Sequence, residues 1–97
     1  MIKHVVCFKL SDNSQEKKQE TKQILLSMTG KVPQIKSIEV GTDFLGSARS
    51  YDVILQVTLA DREALDAYQA DEYHCNVVKT YIHANTTASV ALDYDVE

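Results

Sequence analysis

The chain has 97 residues, 44% of them apolar, and carries a formal net charge of −4 from 14 acidic and 10 basic side chains, with three histidines. That length suits one domain, residues 1–97, with a single modest core. The acidic balance and scattered lysines exclude a nucleic-acid surface, which needs clustered positive charge, and no apolar run approaches the ~18 residues of a membrane helix.

The two cysteines, Cys7 and Cys75, belong to no CxxC and no cysteine–histidine cluster, so they read as free thiols. No metal and no other cofactor is expected. The opening Met-Ile-Lys-His-Val-Val lacks a charged leader followed by a long apolar run, so the expected location is cytoplasmic.

Residues 2–10 alternate as a half-buried strand does, with Ile2, His4, Val6, Phe8 and Leu10 on one face. Residues 11–14 form a capping cluster, and a helix is expected over residues 15–29 with Thr21, Ile24, Leu25 and Met28 as its stripe. Its lysines, Lys17, Lys18 and Lys22, alternate with Glu16 and Glu20 and read as a solvated face. Gly30 and Pro33 stop the helix.

A second strand is expected over residues 35–44, with Ile38, Val40, Thr42 and Phe44 on one side and Gly41 marking a bulge or a close approach. Residues 50–59 alternate most clearly, with Tyr51, Val53, Leu55, Val57 and Leu59 together. Asp61 caps a second helix whose inward residues are Ala64, Leu65 and Tyr68. This helix breaks near residues 70–71 and resumes over residues 74–83, with Val77, Val78 and Tyr81 inward and His83 on the surface. Residues 86–96 form a last strand, and alternation alone leaves open which of its two faces meets the helices.

The order β-α-β-β-α-β is that of a ferredoxin-like α+β fold with a four-stranded antiparallel sheet. Helices cover one face; the other, with Val5, Cys7 and Ile54, is too apolar for open water. A symmetric homodimer pairing two such sheets is the simplest closure.

The stretch from Tyr68 to His74 delivers a phenol and an imidazole across the helix break. Together such groups can donate and accept protons near neutral pH.

Several pieces in this order resemble the stress-responsive dimeric α/β-barrel (Dabb) family: Lys3-His4-Val5-Val6 with Phe8-Lys9, Ser50-Tyr51-Asp52-Val53 leading into Gln56-Val57-Thr58-Leu59, Tyr68 followed by His74, and Leu92-Asp93-Tyr94. The resemblance covers essentially the whole chain. It implies a homodimer whose sheets form a barrel, with an apolar cavity in each protomer between sheet and helices. A plant branch of the family cyclises polyketides with a tyrosine and a histidine at positions matching Tyr68 and His74, and His4 matches a histidine at the cavity edge. Where members carry His-Pro-x-His, this chain has Asp71-Glu72-Tyr73-His74, which implies a more acidic cavity mouth. The first helix turns Thr21 and Leu25, and no aromatic, toward the cavity.

Three readings follow. In the first, the protein binds a small apolar ligand in a pocket walled by His4, Val6, Phe8, Leu55, Val57 and Leu65, with Tyr68 and His74 orienting it by hydrogen bonds. In the second it is an acid–base enzyme for aldol-type cyclisation or a related proton transfer, with His74 as catalytic base and Tyr68 as donor. In the third, Tyr68 and His74 satisfy one another in a structural dimer scaffold. A monooxygenase of the same broad fold group would rely on tryptophan and asparagine, and the chain has no tryptophan.

Overall fold

The computed structural model describes residues 1–96. The alternating N-terminal segment forms β1 (Ile2–Leu10). The Ser14 hydroxyl accepts from the Lys17 amide at 3.3 Å and caps α1 (Gln15–Leu26), with Glu16 in the positively polarised first turn. The helix ends before residue 29. Past Leu26 the chain tightens, the Met28 amide donating to Leu25 (3.2 Å) and the Val32 amide to Met28 (3.0 Å), and Gly30 takes φ +76°.

The next strands, β2 (Ser37–Thr42) and β3 (Val53–Leu59), are shorter than expected because the segment between them folds on itself. The Asp43 carboxylate accepts from the Gly46 amide at 2.7 Å, where Gly46 adopts φ +66°. Phe44 therefore lies beyond the strand end and is 95% exposed. Gly41 sits in regular pairing opposite Ile54, and a Cβ there would come within 3.2 Å of the Ile54 side chain, so it marks a close approach and no bulge.

The Asp61 carboxylate accepts from the Ala64 amide at 2.8 Å and caps α2 (Arg62–Ala70). After the break, one π-wound turn (His74–Val78), in which the Lys79 amide donates to the His74 carbonyl, runs into α3 (Lys79–Asn85). Val78 is buried and Val77 exposed, since neighbours ~100° apart on a helix cannot both face the sheet. The chain finishes in β4 (Thr86–Asp95).

The sheet order is β2-β3-β1-β4 with every neighbouring pair antiparallel, a ferredoxin-like α+β fold. All three helices lie on the face that carries Ile2, His4, Phe8 and the odd-numbered residues of β3. The core residues on this side are Leu25 of α1, Met28 and Val32 from the turn after it, Tyr68 of α2 and Val78 of the π turn. Lys18, expected in solvent, is buried, and its ammonium donates to the Asp43 carbonyl at 3.1 Å, tying α1 to the β2–β3 connection.

Register decides the last strand. β1 places Val5 opposite Leu92, Cys7 opposite Val90 and Lys3 opposite Tyr94, all on the face away from the helices. Ser89, Ala91 and Asp93 face the helix layer instead, yet remain exposed because α2 and α3 do not reach over this edge strand. Among the described residues no helix is long and apolar enough to cross a membrane.

Candidate functional site

The gap left over β4, together with the interruption between α2 and the π turn, opens a cavity of about 280 Å³ between sheet and helices. That is close to the lower end of the ~300–1,000 Å³ typical of ligand sites. Its apolar walls come from β1 (Val6, Phe8), β3 (Leu55), α1 (Leu25) and the π turn and α3 (Val78, Ile82).

His4 enters from β1, 6% exposed, because it shares the period-2 face of Ile2 and Phe8. Register sets it directly opposite Asp93, and Nδ1 donates to Asp93 Oδ1 at 2.5 Å. An ionised carboxylate only accepts, so the proton resides on Nδ1, and in the neutral ring Nε2 keeps a free lone pair.

Tyr68 is the fully buried residue of α2. Its ring meets the edge of His4 at 5.5 Å and 65°, and lies 4.5 Å from His74 at 35°. The hydroxyl donates to the Met28 sulfur at 3.8 Å. Burial pushes the phenol well above its ordinary pKa, so it stays protonated. Tyr68 and His74 therefore meet by ring contact, with no hydrogen bond between them.

That contact depends on the helix break. On one continuous helix of ~3.6 residues per turn, side chains six apart would point about 120° away from each other. Asp71 ends α2, and its Oδ1 accepts from the amides of Tyr73 (2.9 Å) and His74 (3.2 Å), starting the next turn at a new angle. The π turn that follows is a device seen often at functional sites. Asp71 and Glu72 do not line the cavity, so the expected acidic mouth does not form: the Asp71 carboxylate is consumed in capping.

His74 is 7% exposed, and its Nδ1 is buried with no hydrogen-bond partner among the described residues. Burial, reinforced by the charges of Lys79 and His4, pushes its imidazole down to about 4; Asp71 and the Gln69 carbonyl act in the opposite direction. At neutral pH His74 is thus uncharged and can accept a proton.

This has a consequence for stability. The unfolded chain takes up a proton at His74 near pH ~6.5, whereas the folded chain resists until about 4. Between those values the unfolded state binds more protons, so stability falls as pH falls, by about 2–3 kcal/mol on reaching pH ~4.5. Urea denaturation at pH 7 and pH 4.5 should show this loss in the native chain and not in His74→Gln, the difference between the two cancelling the carboxylates that titrate nearby. Equal losses in both would mean that His74 is not held neutral by burial.

Of the residues expected at the pocket, His4, Val6, Phe8, Leu55, Tyr68 and His74 line the cavity. Val57 is fully buried in the core behind it, and Leu65 borders a separate concavity with Ile2, Arg62 and Asp66. Thr21 is buried too, its hydroxyl donating to the Lys17 carbonyl and bonded to Tyr81. Sequence reasoning placed Val78 inward without assigning it to the cavity and missed Ile82, although both follow His74 at four-residue steps along one helical face. It also missed Lys79, Gln69 and Ser89, and it placed His83 on the surface without placing it at the cavity rim. Asp93 entered only through the matching Leu92-Asp93-Tyr94 piece, and nothing local pointed to its bond with His4, 89 residues away. Among the described residues no group of three or more His, Cys, Asp or Glu could hold a metal ion.

The sequence matches the stress-responsive A/B barrel domain over residues 2–96. None of the curated proteins matches it. Among solved structures, a protein of Arabidopsis thaliana is similar at TM-score 0.85 and 22% identity, over 100% of this chain and 96% of that one. A dimeric protein of unknown function with a ferredoxin-like fold from Bacteroides fragilis gives 0.80 at 20% identity, over 98% and 95%. A dimeric ferredoxin-like protein of unknown function from Thermobifida fusca gives 0.81 at 21% identity, over 98% and 90%. At such identities the likeness establishes the fold.

Proposed function

The chain belongs to the stress-responsive A/B barrel domain (Dabb) family, and on that premise we propose that it is a homodimer that binds a small, mostly apolar molecule in the cavity of each protomer. One observation carries the ligand reading: all three histidines of the chain line a single cavity whose remaining walls are largely apolar. A few polar groups set in an apolar concavity are what orient a small ligand. The dimer is supported by neighbours of the same fold that are described as dimeric, and by the exposed row Val90, Leu92 and Tyr94 beside Val5 and Cys7.

Filling the cavity tests the ligand reading. Val6 is only half-buried and lines the space, so Val6→Phe should cost about 1–3 kcal/mol of stability at most and leave the chain folded. Small apolar compounds found to raise the melting temperature of the native protein should bind this variant at least about tenfold more weakly. If no compound stabilises the native chain, or if the filled variant binds equally well, the cavity is not a ligand site.

A second reading, proton transfer next to a carbonyl, is favoured by the His4–Asp93 pair. A base held in one tautomer by a carboxylate is the arrangement used to orient catalytic imidazoles. His74, uncharged at neutral pH, would be the partner base. Tyr68 would act as donor by exchanging the Met28 thioether, a weak acceptor, for a developing enolate oxygen.

A further inference from the structure

The balance of ionisable groups around the cavity differs from that of the protein as a whole. The chain holds 14 carboxylates against 10 basic side chains, yet among the described residues no aspartate or glutamate lines the cavity, although Asp93 is bonded to the His4 ring, while Lys79 and the three histidines do line it. Exposure orders these groups by depth: His4 and His74 are buried, Lys79 is half-buried and His83 is exposed. Lys79 and His83 stand four residues apart on α3 and so share one side of the helix, at the rim. Ser89 reaches the same rim from β4.

Lys79 makes no salt bridge and no side-chain hydrogen bond among the described residues. By contrast Lys18, which is buried, donates to a backbone carbonyl. Independently, the buried Nδ1 of His74 has no hydrogen-bond partner among the described residues. A lysine without a counter-charge at the edge of an apolar hollow is free to meet a negative group there by a charge-assisted hydrogen bond.

We propose that the cavity's ligand is a small acid, with its apolar body against Val6, Phe8 and Leu55 and its carboxylate at the rim between Lys79, His83 and the Ser89 hydroxyl. The proposal rests on the ligand-binding reading and specifies its chemistry. The field of Lys79 reaches into the site, since its charge is one of those that hold His74 neutral. The carboxylate would then lie at the entrance, leaving the two inner imidazoles to face the uncharged part of the molecule.

Matched probes separate the two ideas. Octanoate, octanamide and octylamine share an apolar tail and differ in head-group charge. In calorimetric titrations at neutral pH, the native protein should bind octanoate about tenfold or more tightly than octanamide, and octylamine more weakly than either. In Lys79→Met, which keeps the aliphatic stem, octanoate should fall to the affinity of octanamide, and octanamide should change by less than about twofold. Equal binding of acid and amide to the native chain overturns the acid-ligand proposal and leaves the apolar site standing. A preference for the acid that survives in Lys79→Met overturns the placement of the carboxylate. Binding of none of the three removes both readings together.

Discussion

Tyr68→Ala should destabilise the protein by about 3–5 kcal/mol, the cost of deleting a large aromatic from a packed interior. Tyr68 is fully buried, its ring touches both inner imidazoles, and its hydroxyl reaches Met28 across from α1. Tyr68→Phe should cost less than about 1 kcal/mol, because a thioether is a weak acceptor and loses little when left alone. Chemical denaturation at one fixed protein concentration measures both, the fixed concentration being needed if subunits associate. A loss above about 2 kcal/mol for Tyr68→Phe would show that the hydroxyl has a stronger partner than Met28 sulfur. The contrast also separates the ring, which builds the cavity wall, from the hydroxyl, which any proton-donating role would require.

Leu92→Asp should raise the dissociation constant of the proposed dimer by about 100-fold, because burying an unpaired carboxylate costs at least 2–3 kcal/mol. Leu92 is 64% exposed on the isolated subunit and stands opposite Val5, in the middle of a row with Val90 and Tyr94. Sedimentation velocity across a dilution series reads the shift directly. If this face is open to water, the same substitution leaves both association and stability unchanged. A dimer that survives Leu92→Asp would have its contact elsewhere, with Phe44 and Leu45 in the β2–β3 connection forming another exposed apolar pair.

The two effects act on different layers of one sheet. The inner layer holds Tyr68 and the histidines over a cavity; the outer layer holds the aliphatic row. Pairing the outer faces would bury β4 on one side only, leaving Ser89 at the cavity rim. Association and ligand access are thus compatible within a single strand.

Much of this was legible in the residues. Strict alternation in β1 and β3 assigned both strands and put His4 on the apolar face, since side chains two apart share a side. Ser14 and Asp61 announced the helix starts, because a short oxygen-bearing side chain can satisfy the first free amides. The acidic break at residues 71–72 was visible as well, although its consequence was misjudged. Asp71 turned out to be a cap and contributes nothing to the cavity mouth. Lys18 shows the same limit: its alternation with acids marks a solvated face, but the length of its stem carries the ammonium to a carbonyl of another element.

By itself the sequence determined the order of elements, the fold class, the family, and the presence of a phenol and an imidazole on either side of a helix break. These follow from local properties: side-chain period, capping chemistry, and breaks that any neighbourhood would respect. Only the tertiary structure decided how β4 turns, and with it which residues face the cavity and which face a partner. Its more apolar set would be drawn inward on hydrophobicity alone, yet pairing with β1 sends Val90, Leu92 and Tyr94 outward and brings Asp93 to His4. Register is a relation between strands far apart in the chain, and a slip of one residue would exchange the two faces, so no local pattern could have settled it.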